Sequence, residues 1–431
     1  MEQITYEWKW WFPENPDNVV FWILKEENWY YKLTLHWKLN IEEEKFKNLM
    51  SWGWTYNKNF INGVTKDWKI LSLYSYVNIW THTVLGGNGY DTENFQALYV
   101  FDGVHLESES DLIINKVSFT FNGLFEWVWK GMVDFSMTKF EDKKHYSKWV
   151  LDIWDNNINN IWEIAENLSI SIENGYNIAP KDIFFDKLDT KHRLFKSLNV
   201  DQFTNIVLGY TVDTDFSNVL NDLEHLRKLY SLIMWKSIYF TDFKCSIWES
   251  KDITIFFDKS VWNNKESLWK ANILFNYWDL TNKNINALFQ TWFSNIDKYK
   301  LIFDIYFSTI ENQGLHLENQ FLNIIQALEW YYYIKFWKTK KKVILLNKIQ
   351  IISDDINYII PDKKYIVDCR HTLSHWDNRD AIYDNMERFY HKSLDLKLLL
   401  ELSIIKDLLL EGDLFNEIKN SRKRDMIYTL K

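Results

Sequence analysis

The sequence predicts an α+β protein in which a β-rich N-terminal region, sandwich or barrel-like, is followed by an all-α helical bundle. Two patterns carry this expectation. Through much of the first 120 or so residues, apolar and polar side chains alternate with period two, as in half-buried antiparallel strands. From about Asn286 onward apolar residues instead recur every three or four positions, as along one face of a helix. At 431 residues the chain is also too long for one ordinary domain, and two or three are expected.

Taken in order, the strand candidates begin with Val19 to Leu24 and a run in which Tyr31, Leu33 and Leu35 oppose Lys32, Thr34 and His36. Ile70 to Val77 and Ala97 to Phe101 follow, then Val117, Phe119 and Phe121 opposing Lys116, Ser118 and Thr120, then Leu168 to Ile172. Turns are marked by Pro13-Glu14-Asn15-Pro16 and by Gly86-Gly87-Asn88-Gly89, which lacks the Lys and the strand-loop-helix setting of a phosphate loop. Glu107, Glu109 and Asp111 alternate as on a solvated strand edge. Phe216 to Met234 has helical spacing, with strand-like pieces returning at Ser237 to Phe240 and Ile253 to Phe257. In the bundle, Leu315 to Trp337 is one helix, and a last long helix is expected to start with Ser393 as N-cap and stop at Gly412. The division is 1–285, a β-rich sensor or regulatory region with an internal break near 165–215, and 286–431, the helical domain.

The composition has one anomaly, 24 Trp against 12 Gly, where ordinary usage would give about 30 Gly. Several Trp stand where a turn wants Gly: Trp29 after Asn28, Trp68 after Asp67, and Trp37 just past a strand-like run. Tight hairpin turns need positive φ, which Gly allows and an indole-bearing residue resists. The pattern predicts that some of these positions are UGA codons that the source organism reads as Gly. The competing reading is a truly Trp-rich chain, such as a carbohydrate binder.

Net charge is −9, yet the stretch from Asn286 on holds 21 basic and 20 acidic residues, so a polyanion would meet the C-terminal part. Two cysteines, Cys245 and Cys369, lie far apart without metal-ligand spacing, which predicts a reduced, cytoplasmic protein. Neither a secretory signal nor a membrane span is expected from the sequence.

The chemistry concentrates between Pro361 and Asn378, where Pro suits the first helical position. At about 100° per residue, Tyr365, Ile366, Cys369, Leu373 and Trp376 form the buried arc. Asp368, Arg370, His371, Ser374, His375, Asp377 and Asn378 fill the polar flank. Arg370 and His375 are about 140° apart on an ideal helix, so either the helix is distorted or ends there, or the pair acts across a two-fold axis. His371 and His375 are also an i, i+4 pair. However, Thr372 stands where a zinc protease has Glu, so no metal and no cofactor are expected.

Arg-x4-His with a polar residue after the Arg is similar to the motif of HEPN ribonucleases, whose helical bundles dimerise and cut RNA without a metal. Glu318 and Gln326-Ala327-Leu328-Glu329, together with Gly103-Val104-His105, Leu124-Phe125-Glu126-Trp127 and the β-then-helical order, resemble ApeA-type anti-phage abortive-infection proteins. The resemblance implies an endoribonuclease with catalytic Arg370 and His375, supported by His371, Glu329 and Ser374. It also implies a homodimer, an RNA substrate with tRNA among the candidates, and a phage-derived trigger. The basic-aromatic run from Tyr331 offers Lys335, Lys338, Lys340, Lys341 and Lys342 as RNA contacts, or else as a helix end entering solvent. Arg422-Lys423-Arg424 is a weaker basic group. The alternative function is a non-enzymatic HEPN-like protein that only binds RNA or dimerises.

Overall fold

The computed structural model describes residues 5–27, 30–35, 57–82, 92–128, 133–139, 146–153, 161–185, 193–234, 236–247, 251–257, 275, 277–280, 282–312, 314–336, 343–375, 380–408 and 414–420. The first alternating runs form β1 (Thr5–Phe12), β2 (Asn15–Glu27), β3 (Tyr30–Leu35), β4 (Asn57–Thr65), β5 (Ile70–His82) and β6 (Thr92–Asp102). All pair antiparallel in the order β6-β3-β2-β1-β4-β5, and β5 returns to β6, closing a six-stranded barrel. Closure leaves no unpaired edge within the barrel. Tyr31, Leu33 and Leu35 point into its core beside Trp10, Trp22 and Phe95, while Lys32 and Thr34 stay at the surface. At Gly63 a side chain would collide with the Trp10 ring, so only Gly fits there.

Strand β6 is shared between two assemblies. Its residues Glu93 to Ala97 pair with β3, while Tyr99 to Asp102 pair with β14 (Lys251–Phe257). From β14 the sheet continues through β13 (Phe240–Ile247), β7 (Ile113–Phe121), β12 (Arg193–Asp215), β11 (Leu168–Phe185) and β10 (Ile161–Ala165). The strands β8 (Val133–Lys139) and β9 (Tyr146–Ile153) pair separately. Residues 165–215, where the sequence suggests a break, hold the long β11–β12 hairpin, which is bonded to β7 in the same sheet.

Among the described residues two α-helices belong to this half, α1 (Leu124–Val128) and α2 (Phe216–Met234). Phe216 of α2 sits among the rings of Tyr99 at 5.1 Å, Phe101 at 5.4 Å, Tyr74 at 6.0 Å and Phe243 at 6.4 Å. The helical half comprises α3 (Asn282–Glu311), α4 (Leu317–Phe336), α5 (Leu345–Asp355), α6 (Lys363–His375), α7 (Asp380–Tyr383) and α8 (Met386–Asp407). One hydrophobic core runs from the barrel's outer wall under α2 and on through the bundle. Polar ties reinforce the α2–α3 seam. Arg227 bonds Glu224 at 2.6 Å and Glu311 at 2.5 Å, Lys228 bonds Asp304 at 2.8 Å, and the Trp292 indole donates to the His225 carbonyl at 2.9 Å.

Several local expectations are corrected. The last long helix starts at Met386 with Asn385 at its N-cap, and Ser393 lies two turns inside, its hydroxyl donating to the Phe389 carbonyl at 3.0 Å. Phe389 packs on Phe321 at 4.8 Å, and this contact belongs to the stripe that carries the helix further toward its N-terminus. Ser237 to Tyr239 is irregular, with β13 starting only at Phe240. Pro361 lies in a turn before α6, because Asp362 takes φ of 60° and the helix starts after it. Glu109 and Asp111 form a capped 3-10 turn rather than a strand edge, with Asp111 accepting from the backbone of Glu107 and Ser108 at 2.9 Å. Trp29, Trp37, Gly86 to Gly89, Gly412 and Arg422 to Arg424 lie outside the described residues.

Trp68 is described, and it bears on the composition. In the β4–β5 hairpin it has φ of 63° and is 82% exposed, with its N–H on the Thr65 carbonyl at 3.0 Å. This left-handed position closes the hydrogen-bonded turn from Thr65 and favours Gly. Trp68→Gly should therefore raise stability by about 1 kcal/mol, read as a higher urea midpoint with unchanged slope. A fall would count against a Gly codon at this position.

Candidate functional site

Helix α6 is seated by its apolar stripe. Ile366, Cys369 and Leu373 are buried, and the helix packs against α4 and α5. Tyr365 is half-buried, and Trp376, Asp377 and Asn378 lie outside the described residues. The helix start is clamped by Arg388 of α8, whose guanidinium pairs with Asp362 and lies 4.1 Å over the Tyr365 ring. Sequence reasoning missed this clamp, and no local signal marks a pairing across 26 positions. Burial pushes the Cys369 thiol up, outweighing a lowering hydrogen bond from Tyr365, and burial pushes Cys245 up to about 12. Both buried thiols are therefore poor nucleophiles at neutral pH.

The polar flank points outward. His371, Ser374, His375 and Asp368 are exposed and Arg370 is partly so. Among the described residues Arg370 has no hydrogen-bond or ion-pair partner, which leaves its planar set of donors open to an anion. The helix is continuous to His375, its last residue, so the separation of about 140° between Arg370 and His375 stands. The rings of His371 and His375 do come together, with centroids 4.5 Å apart and planes inclined by 53°.

The other predicted site residues are committed to packing. Glu329, on α4, accepts from Lys348 of α5 at 2.6 Å, and Lys348 also donates to the Tyr333 hydroxyl at 2.9 Å. Burial alone would lower the Lys348 ammonium pKa, but these bonds override it and raise it. Lys335 reaches Asp407 at 2.5 Å, Asp355 at 3.0 Å and the Tyr331 hydroxyl at 2.9 Å. It thus points into an internal ion network that ties α4 to α5 and α8. Lys338, Lys340, Lys341 and Lys342 lie outside the described residues.

The Lys335 network has a defined pH window. Burial would raise the Asp355 carboxyl and lower Lys335, but their bonds and the nearby Lys406 and Asp407 reverse both shifts. The depressed carboxyl contributes stability above the unfolded Asp value and loses it as pH falls. The raised ammonium contributes below the unfolded Lys value and loses it as pH rises. Full strength therefore spans roughly pH 4 to 10. Lys335→Ala strands two partly buried carboxylates and should cost about 2–3 kcal/mol at pH 7. A thermal melt with no shift would contradict this.

The segments of the N-terminal half that carry the resemblance also act as scaffold. After Gly103, at φ 112°, the loop folds onto the barrel end: the Asn62 amide donates to the Leu106 carbonyl at 3.0 Å, and the Ser72 hydroxyl donates to the Val104 carbonyl at 2.9 Å. His105 Nε2 lies 3.0 Å from the Gly63 carbonyl. Trp127 is fully buried and donates to the Phe275 carbonyl at 3.0 Å.

The model of the family described as ApeA N-terminal domain 1 matches residues 6–304, covering the barrel, the extended sheet, α2 and most of α3. The chain belongs to the ApeA family. Neither a curated protein nor a solved structure shows significant similarity to it. ApeA membership points to a role in anti-phage defence. The family match crosses the sheet-to-bundle boundary and ends inside α3, so α6 lies beyond the matched segment. Among the described residues, no helix of this ApeA chain is long and apolar enough to cross a membrane.

Proposed function

We propose that this protein is an anti-phage abortive-infection effector that cuts RNA without a metal through Arg370 and His375. The observation that carries the reading is the outward flank of α6, where a partly exposed guanidinium without a partner among the described residues and exposed imidazoles stand on a clamped helix in an ApeA chain. The His375 imidazole takes the proton of a ribose 2′-hydroxyl as general base. The O2′ then attacks phosphorus and the P–O5′ bond breaks. The leaving O5′ takes a proton back from the His375 imidazolium, directly or through water, and ends as a free 5′-hydroxyl, and the other product is a 2′,3′-cyclic phosphate. Arg370 holds the phosphate and stabilises charge gathering on its oxygens.

Because Arg370 and His375 do not converge on one helix, two copies related by a two-fold axis would form the site, Arg370 of one chain working with His375 of the other. Ser374 shares the Arg370 side of the helix and is placed to orient a phosphate. Glu329 supports the site through the α4–α5 tie. The β-rich region senses a phage-derived trigger and restrains the bundle, and the protein acts in the cytoplasm. The test is incubation of the purified chain with total RNA and tRNA in EDTA, followed by end analysis. Cyclic-phosphate 3′ ends are expected, and intact RNA from a dimeric, folded preparation bearing no inhibitor would refute the reading.

The same 140° separation favours a second reading, a bundle that binds RNA or dimerises without cutting. Carbohydrate binding through indoles is poorly supported. Trp10, Trp22, Trp127, Trp162 and Trp292 are buried, and among the described Trp side chains Trp68 and Trp330 are the exposed ones.

A further inference from the structure

The paired imidazoles at the end of α6 have a capacity that neither reading uses. His371 and His375 are both solvent-exposed, one turn apart, with centroids 4.5 Å apart. An ion bound about 2.1 Å from one nitrogen of each ring would lie about 3.2 Å from each centroid. At that distance the observed spacing corresponds to an N–metal–N angle of roughly 90°, the angle between adjacent positions of an octahedral or tetragonal ion. Because both side chains are exposed, turning the rings so that one nitrogen of each aims at a common point requires no rearrangement of the core. We propose that His371 and His375 form a surface chelate for a divalent transition-metal ion of the Cu²⁺, Ni²⁺ or Zn²⁺ class.

The chemistry of the donor set narrows the ligand. Imidazole suits these borderline ions, whereas Mg²⁺ and Ca²⁺ prefer oxygen. Among the described residues no group of three or more His, Cys, Asp or Glu is arranged to hold a metal, so the proposed chelate takes two imidazole donors from the described residues. The sequence pattern pointed away from a metal because Thr372 stands where a zinc protease has its Glu. That Glu is a catalytic base rather than a ligand, so its absence removes the protease chemistry and leaves the chelating pair intact. The chelate does not depend on RNA cleavage. If the ribonuclease reading holds, a bound ion occupies the His375 nitrogen needed for proton transfer, so the metal would inhibit the reaction.

The test is calorimetric titration of the EDTA-dialysed, tag-free full chain with Ni²⁺ and with Zn²⁺, with Mg²⁺ as competitor. Wild type should bind, His371→Ala and His375→Ala should each weaken binding at least tenfold, and His316→Ala, an exposed His on the α3–α4 turn, should not. Excess Mg²⁺ should leave the affinity unchanged. Circular dichroism confirms that the variants remain folded. Equal affinity in wild type and the two α6 variants, or no binding by wild type, overturns the chelate. Metal binding by a protein that leaves RNA intact in EDTA, with no ion bound, upholds the chelate and refutes the ribonuclease reading.

Discussion

Replacing His375 with Ala is expected to lower RNA cleavage by about 10²–10⁴-fold, and Arg370→Ala by about 10²–10³-fold. The first removes the group that moves the proton, and the second removes the charge that meets the phosphate in the transition state. Both residues stand on the accessible flank of α6, away from the Ile366–Cys369–Leu373 stripe that seats it. The fold should therefore survive either change, which circular dichroism would confirm. If the site spans two chains, a mixture of the two variants should recover part of the activity through heterodimers, which keep one intact Arg370–His375 pair. Full cleavage by either variant in a clean preparation would end the mechanism. Lost toxicity with RNA binding intact favours the enzyme over the binding-only bundle, and the readout is 3′-end sequencing of cellular RNA with and without phage challenge.

Trp292→Gly is expected to destabilise the protein by about 4–6 kcal/mol, the sum of a large-aromatic truncation and a Gly inside a helix. Trp292 is 1% exposed in α3, stacks near Phe303 at 4.7 Å, and satisfies the His225 carbonyl. Its loss would open a cavity at the α2–α3 seam and leave that carbonyl without its partner. Urea denaturation measures the effect, and a change under about 1 kcal/mol would show that the indole is not part of the native core. With the opposite sign expected at Trp68, the pair sorts the tryptophans by position. A buried indole with a bonded N–H is a core residue, while an exposed one at positive φ stands where Gly belongs. UGG at the Trp68 codon would show that the chain tolerates the strain.

Much of the β-rich half was legible because alternation is a local property. Tyr31, Leu33 and Leu35, and likewise Val117, Phe119 and Phe121, are buried as their period predicts. Barrel closure was not legible, because it depends on β6 pairing with β3 along one edge and with β5 along the other. Among the helices, α2 and, in the bundle, α4 follow from apolar spacing. The start of α8 was misjudged because Ser393 satisfies capping statistics, while packing of Phe389 on Phe321 lies upstream of it. At the candidate site the exposed flank of α6 followed from its helical period. The inward turn of Lys335 did not, since its carboxylate partners come from α5 and α8.

The sequence by itself determined the β-then-α order, the face that α6 buries, and the residues left on its polar side. It also marked Trp68 as a position that wants Gly, since a hairpin's demand for positive φ is set within a few residues. Only the tertiary structure decided which polar groups remain available. Lys335, Glu329 and Lys348 are held in ion pairs with partners 19 to 72 positions away, whereas Arg370 is left without one among the described residues. Period and composition do not encode such pairings, because they arise when separate elements pack and their buried charges must find counter-charges.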